Sequence, residues 1–347
     1  MTRRPTRGIV VSKLFNQEID NLLKDTSRSF YLTLKALPPR IRSQVGLLYL
    51  LARIADTIAD SECDSTDQML QALEQYNEMI QGRSDNLPDL SKLAEIQSNP
   101  AEKKLLDNFA APVSCLGDFS TIDQDRIREC LDIIISGQTL DLERFGKGIS
   151  NEITPLANED ELDDYTYRVA GSVGEFWTHM TLEHMFKVDA ETETQLFETG
   201  VRFGKALQLI NILRDIPDDL RLGRCYIPLT SLGKNDLNPD DLLKSENMNQ
   251  FRPLFDSYLD KATGHLDAAV EYIGMLPAGQ FRLRAACMLP VLIGQRTLAL
   301  LRDHNVLDSD SRIKVSRPEI KRLKNKTILA MFSRRRSMKL LASNRDS

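Results

Sequence analysis

Apolar residues recur at helical spacing along nearly the whole chain. Ile19, Leu22 and Leu23 lie three and four positions apart, and Ile127 and Leu131 repeat the interval much later. This spacing gathers apolar side chains on one face of an α-helix. No strand-like alternation of useful length is present, so we expect a single all-α domain. The pattern predicts helices over residues 14–35, 41–60, 66–82, 100–112, 122–145, 162–184, 193–215, 251–276 and 281–301.

The predicted helix at 193–215 continues into a stripe of polar residues. Gln208, Asn211, Asp215 and Asp219 lie three or four positions apart, and apolar residues fill most of the positions between them. Packing does not call for amide and carboxylate oxygens in such a stripe. Mg²⁺ prefers oxygen ligands and is usually held by one or two carboxylates together with substrate phosphates. Pro217 lies inside the last pair and favours a kink or a helix end there.

A second acidic pair, Asp56 and Asp60, lies four positions apart in the predicted helix at 41–60. Two carboxylates on an apolar helix repel each other and are costly to desolvate, and a bridging cation removes that cost. A solvated helix face is the ordinary explanation of any one such pair, because the chain has 50 acidic residues. The presence of two pairs on apolar helices favours the cation.

Two further stretches each have a functional and a structural interpretation. Residues 26–29, Thr-Ser-Arg-Ser, place hydroxyls beside a guanidinium where a helix starts. This suits an anion, but it also suits an ordinary helix cap. Gly171 and Gly174 are costly in a helix and leave room beside its backbone. That room serves either a cavity or the close packing of two helices.

The composition is that of an ordinary soluble protein. Hydrophobic residues make up 41% of the 347 and charged residues 27%, and the net charge of −5 gives no nucleic-acid signature. The five cysteines form no CxxC pair and the four histidines show no ligand spacing. We therefore expect free thiols, a reducing compartment and no zinc site. No uncharged apolar run is long enough to span a membrane and no signal peptide is evident, which predicts a cytoplasmic protein.

Both ends of the chain are basic. Residues 1–13 are predicted to be a short tail ahead of a helical domain at 14–305. In residues 306–347, lysines and arginines interleave with apolar residues, as in segments that lie on anionic membranes. A solvated tail and a protein-binding helix fit the same pattern. Peripheral contact with the inner face of the membrane is therefore one of three expectations for this tail.

Five motifs together resemble the squalene/phytoene synthase family, whose members join two prenyl diphosphates head to head. The resemblance covers roughly residues 15–305, and the motifs keep the family's order and spacing. It implies an isoprenoid-synthase-type helical bundle around a central apolar cavity, which we expect to be a monomer. The motifs are Ser27-Arg28-Ser29-Phe30, Asp56-xxx-Asp60, Tyr165-Thr-Tyr167-Arg-Val-Ala-Gly171-Ser-Val-Gly174, the stretch from Gln208 to Asp219, and Arg224-Cys-Tyr226-Ile-Pro228.

The resemblance also implies roles for individual residues. A tyrosine in the predicted helix at 162–184 is catalytic in the family, and we assign Tyr167 to that role, with Tyr165 as the alternative. The catalytic aspartates would also bind Mg²⁺, so that the metal ligands are Asp56, Asp60, Asn211, Asp215 and Asp219. The contacts to the prenyl diphosphate would be Ser27, Arg28, Ser29, Tyr49, Arg53, Gln208, Asn211, Arg214 and Arg224.

The implied activity is that of a Mg-dependent farnesyl-diphosphate farnesyltransferase, which makes squalene by way of presqualene diphosphate. The motif Asp-Thr-x-x-Asp at 56–60 looks more like the squalene-making relatives than the phytoene-making ones, which carry Asp-Asp-x-x-Asp. Squalene formation requires NADPH; the chain has no Rossmann fingerprint, and squalene synthases lack one too. The alternatives are a dehydrosqualene or phytoene synthase that needs no NADPH, a non-enzymatic relative, a chain elongator or a cyclase.

Overall fold

The computed structural model describes residues 17–27, 29–61, 63, 65–146, 152–308 and 313–345, without the side chains of 17–18, 29–30 and 32–33. The first half of the chain forms α1 (Gln17–Ser27), α2 (Ser29–Ala36), α3 (Pro39–Ala59), α4 (Thr66–Ile80), α5 (Ser91–Glu95), α6 (Pro100–Asp107), α7 (Ala110–Cys115) and α8 (Thr121–Phe145). The second half forms α9 (Glu159–Thr166), α10 (Ser172–His184), α11 (Ala190–Arg221), α12 (Leu229–Gly233), α13 (Met248–Met275), α14 (Phe281–Asp303), α15 (Arg317–Ala330) and α16 (Arg334–Arg345).

Two very short strands also occur among the described residues. β1 (Thr154–Pro155) and β2 (Arg224–Cys225) pair in parallel. The Thr154 amide donates to the carbonyl of Gly223 and the Leu156 amide to that of Cys225, at 2.9 Å each. Gly223 permits the turn that leads into β2, because its φ is +74°, a region that favours glycine. The pairing fixes the chain that leaves α11 against the chain that enters α9.

Helix α11, with 32 residues, is the longest element and lies at the centre of the bundle. It packs along α13, α10 and α14, while α3 packs against α8 and α4 on the other side. The helix starts where the Asp189 side chain accepts the amide of Thr192, an N-cap that satisfies a free donor. Pro217 lies within this helix and does not end it, so of the two predicted alternatives, a kink or a helix end, the helix end is wrong.

Close backbone contacts where α10 and the turn before it pack on α11 explain why two positions are glycine. A Cβ atom on Gly174 would lie 1.9 Å from the carbonyl oxygen of Gly200, and one on Gly204 would lie 2.0 Å from that of Ala170. The two backbones touch at these points, so no larger residue fits without a shift. Of the two explanations that the sequence allowed for Gly174, close helix packing is therefore the correct one.

Several predicted helices are divided or extended in the structure. The helix expected at 14–35 is two helices, α1 and α2, and the one expected at 162–184 is α9, a π-helical turn (Tyr167–Gly171) and α10. The stretch predicted to be mostly loop between 82 and 100 contains the short helix α5. The fold class is as expected, because the described residues are helical almost throughout.

The C-terminal residues fold onto the bundle. Helices α15 and α16 pack against α14 and against each other, and α16 also contacts α13. Leu323 and Leu341 are buried, and the buried Arg284 of α14 donates a hydrogen bond of 3.1 Å to the carbonyl of Met331. The apolar side of this basic segment therefore packs mostly against the bundle.

One described helix, α14, is long and apolar enough to cross a membrane by length and composition alone. Most of its apolar window is buried inside the protein, and Leu283, Val291 and Leu292 are fully covered. It is thus a core helix in this fold.

Candidate active site

The two acidic pairs predicted from the sequence face one cavity of about 340 Å³. Helix α3 brings Asp56 and Asp60, and α11 brings Asp215 and Asp219 together with the amides of its polar stripe. The cavity differs from the apolar one that was expected, because most of the side chains around it are polar. It is lined by Asp56, Ala59, Asp60, Gln138, Asp141, Leu142, Tyr165, Val169, Gln208, Asn211, Ile212, Asp215, Asp219, Arg224 and Tyr226.

On the α3 side, Asp56 is held by neighbours from two helices. Gln138 of α8 donates a hydrogen bond to its carboxylate, and Arg53 lies 3.9 Å from it on the preceding turn. Burial raises the pKa of Asp56 to about 6, with Asp60 adding to the rise and Arg53 opposing it. The side chain of Asp60, by contrast, is 65% exposed and lies 3.6 Å from Arg224.

On the α11 side, the two aspartates have different environments. Arg214 donates a hydrogen bond of 2.8 Å from Nε to Oδ1 of Asp215, its neighbour in sequence. Asp219 has no such partner among the described residues, and burial raises its pKa to about 7, with the charge of Asp215 as the next cause and Arg224 opposing it. Carboxylates crowded in this way favour the arrival of a proton or a cation.

A hydrogen-bonded group of three side chains forms another wall of the cavity. The Tyr226 hydroxyl lies 2.5 Å from Oδ2 of Asp141 and 3.3 Å from the Tyr165 hydroxyl. The rings of Tyr165 and Tyr226 are stacked with their centroids 4.8 Å apart. Burial raises the pKa of Asp141 to about 6, while the hydrogen bond from Tyr226 and the charge of Arg224 oppose the rise. The tyrosines thus stand in the cavity as protonated donors.

The catalytic tyrosine predicted at position 167 is not in this cavity. The Tyr167 hydroxyl donates a hydrogen bond of 3.1 Å to Glu175, and the ring lies near the ammonium of Lys205. Tyr165 lines the cavity instead, because residues two positions apart point to different faces of a helix. Of the two tyrosines that the resemblance left as candidates, the structure thus favours the alternative, Tyr165, and its catalytic role stays a prediction.

Four other predicted contacts lie outside the cavity lining. Arg53 is ion-paired with Glu102 and also lies 3.9 Å from Asp56, and Arg214 is paired with Asp215. Each arginine therefore adjoins a carboxylate of the site. The Tyr49 hydroxyl lies 3.4 Å from the carbonyl of Thr26. The buried Ser27 hydroxyl donates to the Leu23 carbonyl, as an ordinary helical serine does. Arg28 and the side chain of Ser29 lie outside the described residues, and their diphosphate contacts stay predictions.

The donor set fits hard cations in part. Asp56, Asp60, Asn211, Asp215 and Asp219 all offer oxygen atoms to the same cavity, as predicted. Within the described parts of the chain, no three carboxylate, thiolate or imidazole groups come close enough to surround a single ion. The arrangement therefore suits ions that each take one or two carboxylates and complete their shell with ligand oxygens.

The match to a known family settles what kind of protein has this cavity. The family model described as squalene/phytoene synthase matches residues 23–319, which is most of the chain. The chain belongs to the squalene/phytoene synthase family. It is therefore a member of a family of head-to-head prenyltransferases, and the expectation drawn from the five motifs is confirmed.

The curated relatives of this chain are longer proteins. Two of them are described as bifunctional lycopene cyclase/phytoene synthases. The one from Colletotrichum graminicola is 30% identical over 74% of this chain and 42% of its own length. The one from Blakeslea trispora is 28% identical over 85% of this chain and 47% of its own length. The chain thus spans less than half the length of these relatives.

Solved structures with the same fold are more distant in sequence. A complex of TcSQS with a ligand has a TM-score of 0.75 at 18% identity and covers 94% of this chain and 91% of its own. A dehydrosqualene synthase in complex with ligand has a TM-score of 0.62 at 21% identity, covering 90% and 94%. The squalene synthase HpnC from Alicyclobacillus acidocaldarius has a TM-score of 0.58 at 20% identity, covering 82% and 92%. These similarities establish the isoprenoid synthase helical fold of this family member.

Two residues that line this cavity, Gln138 and Asp141, were not predicted from the sequence. They lie three positions apart on α8, between buried residues such as Ile135 and Leu142. That is the spacing that singled out the amide and carboxylate stripe of α11, so the same criterion applied to α8 would have found them.

Proposed function

We propose that this protein condenses two molecules of the C20 compound geranylgeranyl diphosphate head to head and that its product is phytoene. The observation that carries the chemistry is that Asp56, Asp60, Asp215 and Asp219 line one cavity from two helices. The choice of substrate is supported by the curated relatives, which are described as bifunctional proteins with a phytoene synthase activity. The proposed reaction needs no NADPH.

The two acidic pairs would hold Mg²⁺ against the diphosphate of the substrate. When bound, the ion supplies Lewis-acid stabilisation of the departing diphosphate. Arg224 adds a fixed positive charge on the same side, since it lies in the cavity lining 3.6 Å from Asp60. The amides of Gln208 and Asn211 orient the diphosphate by hydrogen bonds. These groups would bind and position the leaving group before any bond is broken.

The tyrosine wall would act on the rest of the substrate. Tyr165 and Tyr226 keep their protons, since the pKa of each is raised by burial. Tyr226 donates its hydrogen bond to Asp141 and Tyr165 donates its own to Tyr226, so Tyr165 would serve as a donor to diphosphate by exchanging Tyr226 for a diphosphate oxygen. Ala59, Leu142, Val169 and Ile212 supply apolar surface beside them. Exclusion of water from such a surface protects an allylic cation, which water would otherwise quench.

The atoms balance over two half-reactions. In the first, one substrate loses its diphosphate, the double bond of the second substrate attacks the resulting carbon, and loss of a proton closes a cyclopropyl diphosphate. In the second, the remaining diphosphate leaves, the skeleton rearranges, and loss of a second proton gives the C40 triene system of phytoene. No electrons are added, so no reductant is consumed.

A squalene synthase that uses farnesyl diphosphate remains the second candidate function. The residue that favoured it is Thr57, and its position in the structure affects that argument. Thr57, at the second position of the Asp-Thr-x-x-Asp motif, is buried, and its hydroxyl donates a hydrogen bond of 2.8 Å to the Arg53 carbonyl. It is absent from the cavity lining. A residue turned away from the cavity is a weak determinant of substrate length, so this motif gives farnesyl diphosphate little support.

Product analysis tests the proposal. The purified protein is incubated with Mg²⁺ and either geranylgeranyl or farnesyl diphosphate, with and without NADPH, and extracts are analysed by gas chromatography–mass spectrometry. We expect phytoene from the C20 substrate, independent of NADPH. Squalene from farnesyl diphosphate only with NADPH, or dehydrosqualene without it, would overturn the substrate proposal and retain the mechanism. No product from either substrate would overturn both and favour a non-enzymatic relative.

A further inference from the structure

The C-terminal helices α15 and α16 carry a charge opposite to that of the remaining chain. Residues 317–345 contain ten basic residues and one acidic residue, whereas the other 318 residues contain 35 basic and 49 acidic ones. Their apolar side is packed on the bundle, as Leu323 and Leu341 show. The basic side chains are therefore presented to solvent from a fixed, folded surface rather than from a loose tail.

A group of exposed apolar side chains interrupts this basic surface where α15 ends and α16 begins. Ile328, Leu329 and Phe332 are 45%, 73% and 69% exposed. The Phe332 ring lies 5.3 Å from that of Phe281, which is itself 37% exposed at the start of α14. We call these four residues the corner patch. Clustered apolar surface of this kind marks an interaction site in a folded protein.

Basic residues adjoin the corner patch along the chain on both sides. Lys324 and Lys326 precede it, and Arg334, Arg335 and Arg336 follow it. All five are exposed, and no ion pair involving them occurs among the described residues. The three arginines occupy the first turn of α16, where the helix dipole disfavours positive charge. Folding stability therefore gives no reason for this cluster, whereas an anionic partner does.

We propose that the corner patch docks on the surface of an anionic lipid bilayer, with its apolar side chains at the acyl boundary and the five basic residues on the headgroups. Aromatic and aliphatic side chains flanked by lysine and arginine are what such a surface recognises. A nucleic acid would use the arginines and leave Leu329 and Ile328 without a role. The contact is a corner of the folded domain, so it does not require the whole segment to lie on the membrane. It also does not depend on which prenyl diphosphate the enzyme uses.

Vesicle co-sedimentation of the full-length protein tests the proposal. Vesicles of equal parts phosphatidylglycerol and phosphatidylcholine are compared with vesicles of phosphatidylcholine alone, in 0.1 M and 0.5 M salt. We expect binding to the anionic vesicles at low salt, and binding at least about tenfold weaker on the neutral ones or at high salt, because screening acts on exposed charges. Equal binding to both vesicle types, or to neither, would overturn the proposal.

Two variants and two matched controls locate the contact. Leu329→Ser with Phe332→Ser removes the apolar part, and Arg334→Gln, Arg335→Gln and Arg336→Gln together remove three charges. We expect the charge variant to bind about a hundredfold more weakly, given the usual contribution of each basic residue near an anionic surface. The controls are Leu87→Ser, which changes another exposed leucine, and the triple change Lys103→Gln, Lys234→Gln and Lys244→Gln.

The controls are expected to bind as the unmodified protein does. If they weaken binding as much as the corner variants, net charge or general hydrophobicity is responsible and the proposal is wrong. A short duplex RNA used as competitor adds a further outcome. Binding to RNA that depends on the arginines but not on Leu329 and Phe332 would overturn the membrane assignment. Thermal unfolding followed by circular dichroism checks that every variant is folded.

Discussion

The Tyr226 hydroxyl donates a hydrogen bond of 2.5 Å to Asp141, which lies 85 positions earlier in the chain. This bond joins the segment after α11 to the C-terminal part of α8. Tyr165 of α9 lies against the same pair, with its ring stacked on that of Tyr226. The segment after α11, α8 and α9 are thereby held together on one side of the cavity, although none of them carries the acidic pairs.

Replacing Asp141 with Asn is expected to lower turnover by about tenfold to a hundredfold. The amide keeps the shape of the side chain but lacks the charge that accepts the hydrogen bonds of the tyrosines, so their hydroxyls lose a fixed direction. Steady-state kinetics with the substrate identified by product analysis measures the effect. Glu143→Gln, an exposed change on the same helix, is the control. Equal kinetics in both variants would show that Asp141 has no such role.

The two tyrosines of the 165–174 motif are expected to differ sharply. Tyr165→Phe removes a hydroxyl from the cavity and should reduce turnover by about a hundredfold, as the loss of one donor to a developing charge does. Tyr167→Phe removes a hydroxyl that is bonded to Glu175 outside the cavity, so turnover should change less than about threefold. The opposite ranking in the same kinetic assay would restore the assignment of Tyr167.

Asp56→Asn and Asp215→Asn are each expected to abolish measurable turnover while the protein stays folded. Each change removes a charge from the cavity, and neither side chain is part of the apolar core. The exposed Asp240→Asn is the control and should leave the rate unchanged. Turnover at the normal rate in Asp56→Asn or Asp215→Asn would contradict the assignment of these residues to metal binding. Circular dichroism verifies folding in each case.

The stability of the metal-free protein is expected to fall as the pH rises through Asp219. Its pKa is raised from the ordinary 3.8 to about 7 in the folded protein, so the folded state binds the proton more tightly than the unfolded state. The stability is then greatest below about pH 4 for this group and declines towards pH 7. Asp219→Asn should therefore raise the melting temperature by roughly 2 °C at pH 8, by less at pH 5, and leave it nearly unchanged at pH 4.

Magnesium provides the control for this pH effect. With EDTA present, the variant is expected to be the more stable protein at pH 8. With excess Mg²⁺, the unmodified protein should gain more than the variant, because only it keeps the full set of carboxylates that bind the ion. Differential scanning calorimetry measures both. A variant that responds to Mg²⁺ as the unmodified protein does would remove Asp219 from the metal site.

The contact between α10 and α11 predicts opposite effects for two glycine substitutions. Gly174→Ala places a methyl group against the Gly200 backbone and should destabilise the protein by about 3 kcal/mol. Gly264→Ala, in the middle of α13, meets no atom within 4 Å and should stabilise it by up to about 1 kcal/mol. Chemical denaturation measures both free energies of unfolding. Similar values for the two would mean that the helices can separate at Gly174 at little cost.

The sequence predicted best what depends on spacing within one helix. Asp56 with Asp60, and Gln208 with Asn211, Asp215 and Asp219, were grouped correctly because helical periodicity alone brings them to one face. Their meeting across the cavity follows from the packing of α3 and α11 in one bundle, which the resemblance to a known family supplied.

What the sequence did not predict depends on contacts between distant segments or on small changes in helical phase. Tyr165 and Tyr167 are two residues apart, and an ideal helix does not show which of them faces the cavity when a π-helical turn follows. The partnership of Tyr226 with Asp141 joins positions 85 residues apart. The folding of the basic C-terminal segment onto α14 likewise depends on a partner surface that no local pattern specifies.

The pairing of β1 with β2 has a practical consequence for following motion at the cavity. Cys225 lies in β2 between Arg224 and Tyr226; it is 2% exposed, and burial raises the pKa of its thiol to about 12. An alkylating reagent reacts with an accessible thiolate, so it can modify this cysteine only while the segment that contains β2 is displaced from the residues that bury the thiol. The rate at which this thiol is labelled therefore reports how often the segment that carries Arg224 opens. A bound ligand that holds the segment closed would lower the labelling rate.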